Sequence, residues 1–266
     1  MRLALTTYNL AADWHLAKII ETAKRCGFAG LDFTAECGHK HGVELETTSV
    51  ERRRVREQVE DAYLEVACVG TSSRFEDPDA AKRRAAVDRT KGFLELAVEL
   101  GSKAIRVVGN EMPAGVQRED CITYVGESLR VLGEFAESLG VDVLLETHGD
   151  FNFWAYARRA VEIADHPRVG ILYNCDPRDV VGGSIAAAYG QLRAWVRYIH
   201  MHEYTGYWGR FPYPELFALL KVDGYGDYLG SEIVAADPSA EQFLAMYTVL
   251  FRAWAGQQSF TVPDVG

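Results

Sequence analysis

The stretch Val143-Leu144-Leu145-Glu146-Thr147-His148 is an apolar run that ends abruptly in a carboxylate and an imidazole two positions apart. Three later stretches share that order: Val169-Gly170-Ile171-Leu172-Tyr173-Asn174-Cys175-Asp176, Arg197-Tyr198-Ile199-His200-Met201-His202-Glu203 and Asp227-Tyr228-Leu229-Gly230-Ser231-Glu232. Each reads as a buried strand with metal-capable side chains at its C-terminal end. In a closed parallel barrel such ends converge on one mouth, so groups far apart in sequence would meet there.

Working outward, the chain alternates strand and helix signals along its length. Strands are expected at 2–9, 27–33, 66–71 and 104–108, then at the four stretches just quoted, with helices at 13–26, 49–64, 79–100, 118–139, 153–164, 184–195, 212–222 and 238–254. Helix punctuation supports this, as in Asp77-Pro78 before the third helix and Gly101 after it. Eight strand–helix pairs without a linker or a break in composition predict a single (β/α)8 TIM barrel over 1–256, followed by an irregular tail at 257–266. Asn9-Leu10-Ala11-Ala12 after the first strand lacks the glycines of a dinucleotide-binding turn, which argues against an open nucleotide-binding sheet. The longer loop holding Glu36, His39 and His41 has the length of a lid.

Composition narrows the function classes. Of 266 residues, 48% are hydrophobic and 25% charged, the balance of a globular fold with a large core. The formal net charge of −10 and the absence of a basic patch exclude a nucleic-acid surface. The arginine run at 52–54 lies among glutamates and reads as a wet helix face. No apolar run is long enough to span a membrane, and no signal-peptide pattern precedes the first strand. The five cysteines form no CxxC pair and no even set, so no disulfide framework is expected and the cytoplasm is the expected location. Homo-oligomerisation is left open.

The pairs Glu146 and His148, Asn174 and Asp176, and His200 and His202 are each spaced i, i+2, which on a strand puts both members on one face. A wet strand end that only shapes a loop explains any single pair equally well. Four successive strands ending this way point to a site. Two glutamates, an amide or aspartate, and an imidazole make an oxygen-rich set suited to one divalent metal ion: Mn²⁺, Mg²⁺, Co²⁺ or Fe²⁺, with Zn²⁺ tolerated. Such a cation polarises a sugar carbonyl and stabilises an enediolate while a glutamate moves the acidified proton.

Leu-Glu-Thr-His-Gly-Asp (145–150), Val-Gly-Ile-Leu-Tyr-Asn (169–174), Tyr-Ile-His-Met-His-Glu (198–203) and Gly-Ser-Glu (230–232) together resemble the xylose-isomerase-like barrel superfamily of sugar isomerases and epimerases. The resemblance covers nearly the whole chain. It implies a metal held by Glu, Asp, His and Glu at strands five to eight, with the two glutamates as the proton-transfer pair. Those roles carry onto Glu146, His200 and Glu232. His200 takes the strand-seven place ahead of His202 because the family's histidine is followed three residues later by an acid, here Glu203.

Strand six departs from the pattern. Asn174 stands where the family has aspartate, and Pro177 stands where many members have a second histidine. Either Asn174 or Asp176 is the fourth ligand. His148, His202, Arg106, Trp208 and Arg210 are candidate substrate-binding residues, with Arg74, Asp32, Glu36, Tyr207 and Phe211 as lesser ones. His15 and His166 read as structural.

The expected activity is isomerisation or epimerisation of a small ketose, keto-inositol or related polyol. The rivals are a dehydratase or lyase using the same metal and base, and a non-catalytic carbohydrate-binding partner subunit. Apurinic-site DNA repair shares the superfamily barrel, but its metal cluster needs further histidines, and 66–74 and 104–110 contain none.

Overall fold

A computed structural model describes residues 1–234 and 239–257. Eight parallel strands close into a barrel in chain order: β1 (Arg2–Thr6), β2 (Gly30–Thr34), β3 (Glu65–Gly70), β4 (Ala104–Gly109), β5 (Asp142–Thr147), β6 (Val169–Asn174), β7 (Val196–Met201) and β8 (Tyr228–Ser231). The helices are α1 (Leu16–Cys26), α2 (Ser49–Asp61), α3 (Ala80–Leu100), α4 (Arg118–Glu137), α5 (Trp154–Ala164), α6 (Ala186–Leu192), α7 (Tyr213–Val222) and α8 (Ala240–Ala255). The eighth strand closes on the first with Arg2 opposite Tyr228 and Leu5 opposite Ser231. Among the described residues no helix is long and apolar enough to cross a membrane, and all five cysteines are free.

Alternation along each strand builds two distinct cores. Outward residues such as Leu5, Ile105, Val143, Leu145, Ile171 and Ile199 pack under the helices in one large cluster. Inward residues Ala4, Ala104, Leu144, Leu172 and Tyr198 form a second cluster inside the barrel. Two positions further along the same strands, hence on the same inward face, come Thr6, Arg106, Glu146, Asn174 and His200, all buried. The interior is therefore an apolar layer capped by a polar one, and the polar layer lies at the C-terminal ends. Burying each aliphatic side chain of the outer cluster contributes about 1.5–3 kcal/mol.

Several boundaries differ from those expected, each for a local reason. The first strand ends at Thr6 because Asn9, at φ 57°, opens a 3-10 turn over Asn9–Ala11. Asp13 does not cap α1; it pairs with Lys40 at 2.9 Å, and His15 is the residue at the N-cap. The helix after it fits its sequence better: Thr48 and Glu51 form a reciprocal capping box at the start of α2. Asp79 caps α3, whose last turn closes on Gly101 at φ 78°. The sixth helix is shorter than 184–195, starting at Ala186 after Glu215 has taken the Ile185 amide at 3.0 Å. The expected start of the last helix at Pro238, and the tail from Gln258 onward, lie outside the described residues.

The loop between β2 and α2 is tied down at several points. Glu44 accepts the Glu36 and Gly38 amides, Glu36 accepts the Ser72 amide at 2.8 Å, and the Lys40 amide donates to the Ala12 carbonyl at 3.1 Å. His41 is buried beneath it, accepting the Val43 amide at Nδ1 (3.0 Å) and meeting Thr7 Oγ1 at Nε2 (3.3 Å).

Candidate functional site

At the C-terminal mouth one imidazole is ringed by carboxylates. His200 Nδ1 lies 2.9 Å from Glu146 Oε1 and 3.3 Å from Glu232 Oε2, while its Nε2 lies 3.0 Å from Asp32 Oδ2. Glu146, His200 and Glu232 each offer a ligand atom within 4.8 Å of the others. Arg106, from β4, reaches Glu146 with Nε at 3.4 Å and donates Nη1–H to the Thr71 carbonyl at 2.7 Å. Of these groups Glu146, Glu232 and Arg106 line a cavity of about 340 Å³, together with Tyr8, Thr34, Arg74 and Asn110. That size suits a small-molecule ligand.

Three carboxylates thus share one guanidinium and one imidazole out of water, and the electrostatics follow. Burial alone would raise the Glu146 pKa, but Arg106 and His200 outweigh it and hold the carboxyl below its usual range. Burial likewise opposes ionisation of Glu232, and the charge of His200 overrides it. For His200, burial favours the neutral ring, yet Glu232, Asp32 and Glu146 together push its pKa well above the ordinary histidine value. The imidazolium is the counter-ion of these carboxylates.

Asn174, opposite His200 in the β6–β7 register, receives its backbone support from Thr147, whose Oγ1 accepts the Asn174 amide at 2.8 Å. Its Oδ1 lies 2.5 Å from His202 Nε2, while His202 Nδ1 faces the Glu232 carbonyl at 3.0 Å. Burial lowers the His202 pKa, so the ring is neutral and carries a single N–H. One proton cannot serve two oxygens. Donation from Nδ1 to the carbonyl leaves Nε2 as an acceptor, which is satisfied when the Asn174 amide nitrogen faces it.

At strands five and six the i, i+2 spacing does not carry past the strand end. β6 stops at Asn174, and Asp176 instead caps a 3-10 turn over Pro177–Asp179, accepting the Arg178 amide at 2.8 Å and its guanidinium at 2.7 and 2.9 Å. Tyr207 adds a hydroxyl donor at 3.2 Å. Asp176 is thereby engaged outside the Glu146–His200–Glu232 cluster. His148 likewise falls just beyond β5 and sits exposed at the cavity rim, not on the inward face with Glu146.

Of the remaining candidates, Trp208 stacks on His202, with ring centroids 3.8 Å apart and 19° between planes. Arg210 is exposed, 5.9 Å over the Tyr207 ring. His15 stands at the start of α1, and His166 Nδ1 accepts the Arg168 amide at 3.1 Å. Asp32, a lesser candidate from sequence, proves central. Its pairing with His200 spans 168 residues and leaves no local signal beyond a buried carboxylate at a strand end.

The family model described as xylose isomerase-like TIM barrel matches residues 20–248. The chain belongs to that family. No curated protein matches it in sequence. Among solved structures, the family's barrel is shared with a D-psicose 3-epimerase in the presence of D-fructose, at TM-score 0.81 and 16% identity over 96% of this chain and 100% of the other. The IOLI protein with a bound zinc atom gives TM-score 0.79 at 15% identity, covering 98% and 100%. A 3-keto-D-glucoside 4-epimerase from E. coli gives 0.77 at 19%, covering 94% and 99%. At these identities the likeness is one of fold.

Proposed function

We propose that the protein is a metal-dependent isomerase or epimerase of a small ketose, keto-inositol or related polyol, with Glu146 and Glu232 as its acid–base pair. One observation carries this reading: a carboxylate on β5 and one just beyond β8, both lining the cavity at the barrel mouth, meet at the same imidazole nitrogen. Two carboxylates flanking one point can remove a proton from one side of a carbon and return it from the other.

The donor set fits a hard divalent cation. Glu146, Glu232 and His200 would hold it, each offering a ligand atom within 4.8 Å of the others. Asn174 is the fourth candidate. Its amide oxygen is free for the cavity once the amide nitrogen faces His202, whereas Asp176 is saturated by Arg178 and Tyr207. When bound, the cation supplies Lewis acidity toward the substrate carbonyl and its neighbouring hydroxyl.

The chain's own groups do the rest. Arg106 keeps Glu146 anionic and in place, so that carboxylate is ready to accept a proton. Trp208, stacked on His202, holds that ring against Asn174, and His148 stands at the cavity rim to meet a hydroxyl. The zinc-bound neighbour and the sugar epimerases of the same barrel support this reading.

Incubation of metal-loaded protein with a panel of ketoses in D2O tests it. Exchange of a substrate carbon-bound hydrogen for deuterium with formation of an epimer or isomer is the expected result. Loss of water from the substrate would point to a dehydratase. Sugar binding with neither exchange nor product would make the chain a non-catalytic carbohydrate-binding partner.

A further inference from the structure

We infer that Asp32 is the positioning residue of this centre: it fixes the proton of His200 on Nε2 and leaves Nδ1, the nitrogen facing Glu146 and Glu232, as the donor to the cation. The inference rests on the metal reading above and assigns to Asp32 a role that neither the family pattern nor the cation's ligand set includes.

The geometry supports it from four strands. Asp32 Oδ2, deep in the polar layer at β2, receives the Thr6 hydroxyl from β1 at 3.1 Å and the Tyr198 hydroxyl from β7 at 3.4 Å, in addition to His200 Nε2 at 3.0 Å. From β8, Gly230 leaves the room. A Cβ there would lie 2.8 Å from Thr6 Oγ1, 2.9 Å from the Tyr198 hydroxyl and 3.1 Å from Asp32 Oδ2, so any side chain would displace the assembly. The carboxylate is therefore held at a defined place beneath the ring.

A carboxylate oxygen already taking two hydroxyl protons can only accept from the imidazole, so the His200 proton belongs on Nε2. The neutral ring then has its lone pair on Nδ1, directed at the two glutamates. The ring stands between Asp32 and the Glu146–Glu232 pair, so Asp32 acts through His200 and takes no place among the ligand atoms. Carboxylate–histidine pairs of this kind set both ring orientation and basicity, and losing the outer partner typically weakens metal affinity about 10–100-fold.

Asp32→Asn is the informative change because it conserves volume. An amide nitrogen at that place can donate to Nε2, which moves the ring proton to Nδ1 and turns an N–H toward the cation. Zn²⁺ titration against a competing chelator is expected to show affinity about 10–100-fold below wild type for the folded variant. Nitrogen NMR of ¹⁵N-histidine-labelled, Zn²⁺-loaded wild type, with His200 assigned by comparison with His200→Gln, is expected to show the proton on Nε2. This second measurement needs no Asp32 variant and stands even if Asp32→Asn fails to fold.

The results separate the two claims. A wild type that binds no Zn²⁺ defeats the metal reading and this inference with it. A wild type that binds Zn²⁺, alongside Asp32→Asn that binds within about threefold of it, overturns the assignment of Asp32 alone. A His200 proton found on Nδ1 in the loaded protein does the same.

Discussion

The two ends of this barrel are built from the same strands and do opposite things with charge. The N-terminal foot encloses the larger cavity, about 410 Å³ against 340 Å³ at the mouth, and is also lined by ionisable residues. At the foot those charges are matched near water: Arg2 with Glu65 at 2.8 Å, Arg197 with Asp142 at 2.9 Å and Arg56 with Glu60 at 2.7 Å. At the mouth, Asp32, Glu146 and Glu232 crowd one ring, and Arg106 gives Glu146 further relief. Volume therefore does not mark the working end. Buried charge without a full set of partners does, because desolvation makes such an arrangement costly and only a ligand or cation of opposite sign repays it.

The comparison breaks most directly at the metal. Each of His200→Ala and Glu232→Ala is expected to lower divalent-metal affinity by more than about 100-fold, since each removes a direct ligand, and metal content after exhaustive dialysis reads this out. Full metal content in both variants would mean that the mouth is no different in kind from the foot.

Strand six sharpens it. Asn174→Asp adds a negative charge beside the cation and is expected to tighten binding by about tenfold or more, while Asp176→Ala changes affinity far less. Calorimetric titration of both variants decides between the two residues. Loss of the metal in Asp176→Ala alone would transfer the ligand role to the 3-10 turn.

Acidity gives a third handle. Because the carboxylates raise the His200 pKa, the metal-free ring is protonated at neutral pH and must release that proton as the cation enters. Affinity should then rise about tenfold per pH unit across neutrality, with about one proton released in calorimetry repeated in buffers of different ionisation enthalpy. The same protonation stabilises the metal-free fold below about pH 6.5, and that contribution fades as the pH rises through the elevated folded-state value. A pH-independent affinity between 6 and 8 would contradict this.

His41, under the mouth loop, works in the other direction. Burial depresses its pKa to about 3, so the unfolded chain binds more protons as the pH falls from about 6.5, and stability is lost at about 1.4 kcal/mol per pH unit. Urea unfolding of His41→Phe at pH 7.5 and 4.5 should show a smaller gap between the two than wild type shows. The foot supplies the smallest effect: Arg2→Ala, which breaks an exposed pair, is expected to cost about 0–1 kcal/mol and to leave metal affinity unchanged.

The barrel and most of its site could be read from the chain because the signals are local. An apolar run that ends in Glu146, Asn174 or His200 reports both a strand and its C-terminal end, and eight repeats of strand and helix leave few alternatives to closure. Errors came where a strand stopped sooner than its pattern. Asp176 looks like a continuation of β6, but Pro177 and Arg178 make a 3-10 turn more favourable, and the carboxylate is spent on capping it. Asp13 looks like a helix cap until Lys40, distant in sequence, takes it. The part that was not legible is the support beneath the candidate ligands. Thr6, Asp32, Tyr198 and Gly230 say little alone, and their meaning exists only after β1, β2, β7 and β8 have been brought together.

The stack of Trp208 on His202 has a further consequence, an optical one. An indole whose face lies 3.8 Å from an imidazole is in van der Waals contact with a group that quenches its excited state more strongly once protonated or polarised. His202 in turn touches Asn174 and the backbone carbonyl of Glu232, whose side chain lines the pocket, so the ring is one residue removed from an occupant. Of the five tryptophans, Trp208 is thus placed to report occupancy through its emission, giving the mouth a built-in fluorophore that needs no label.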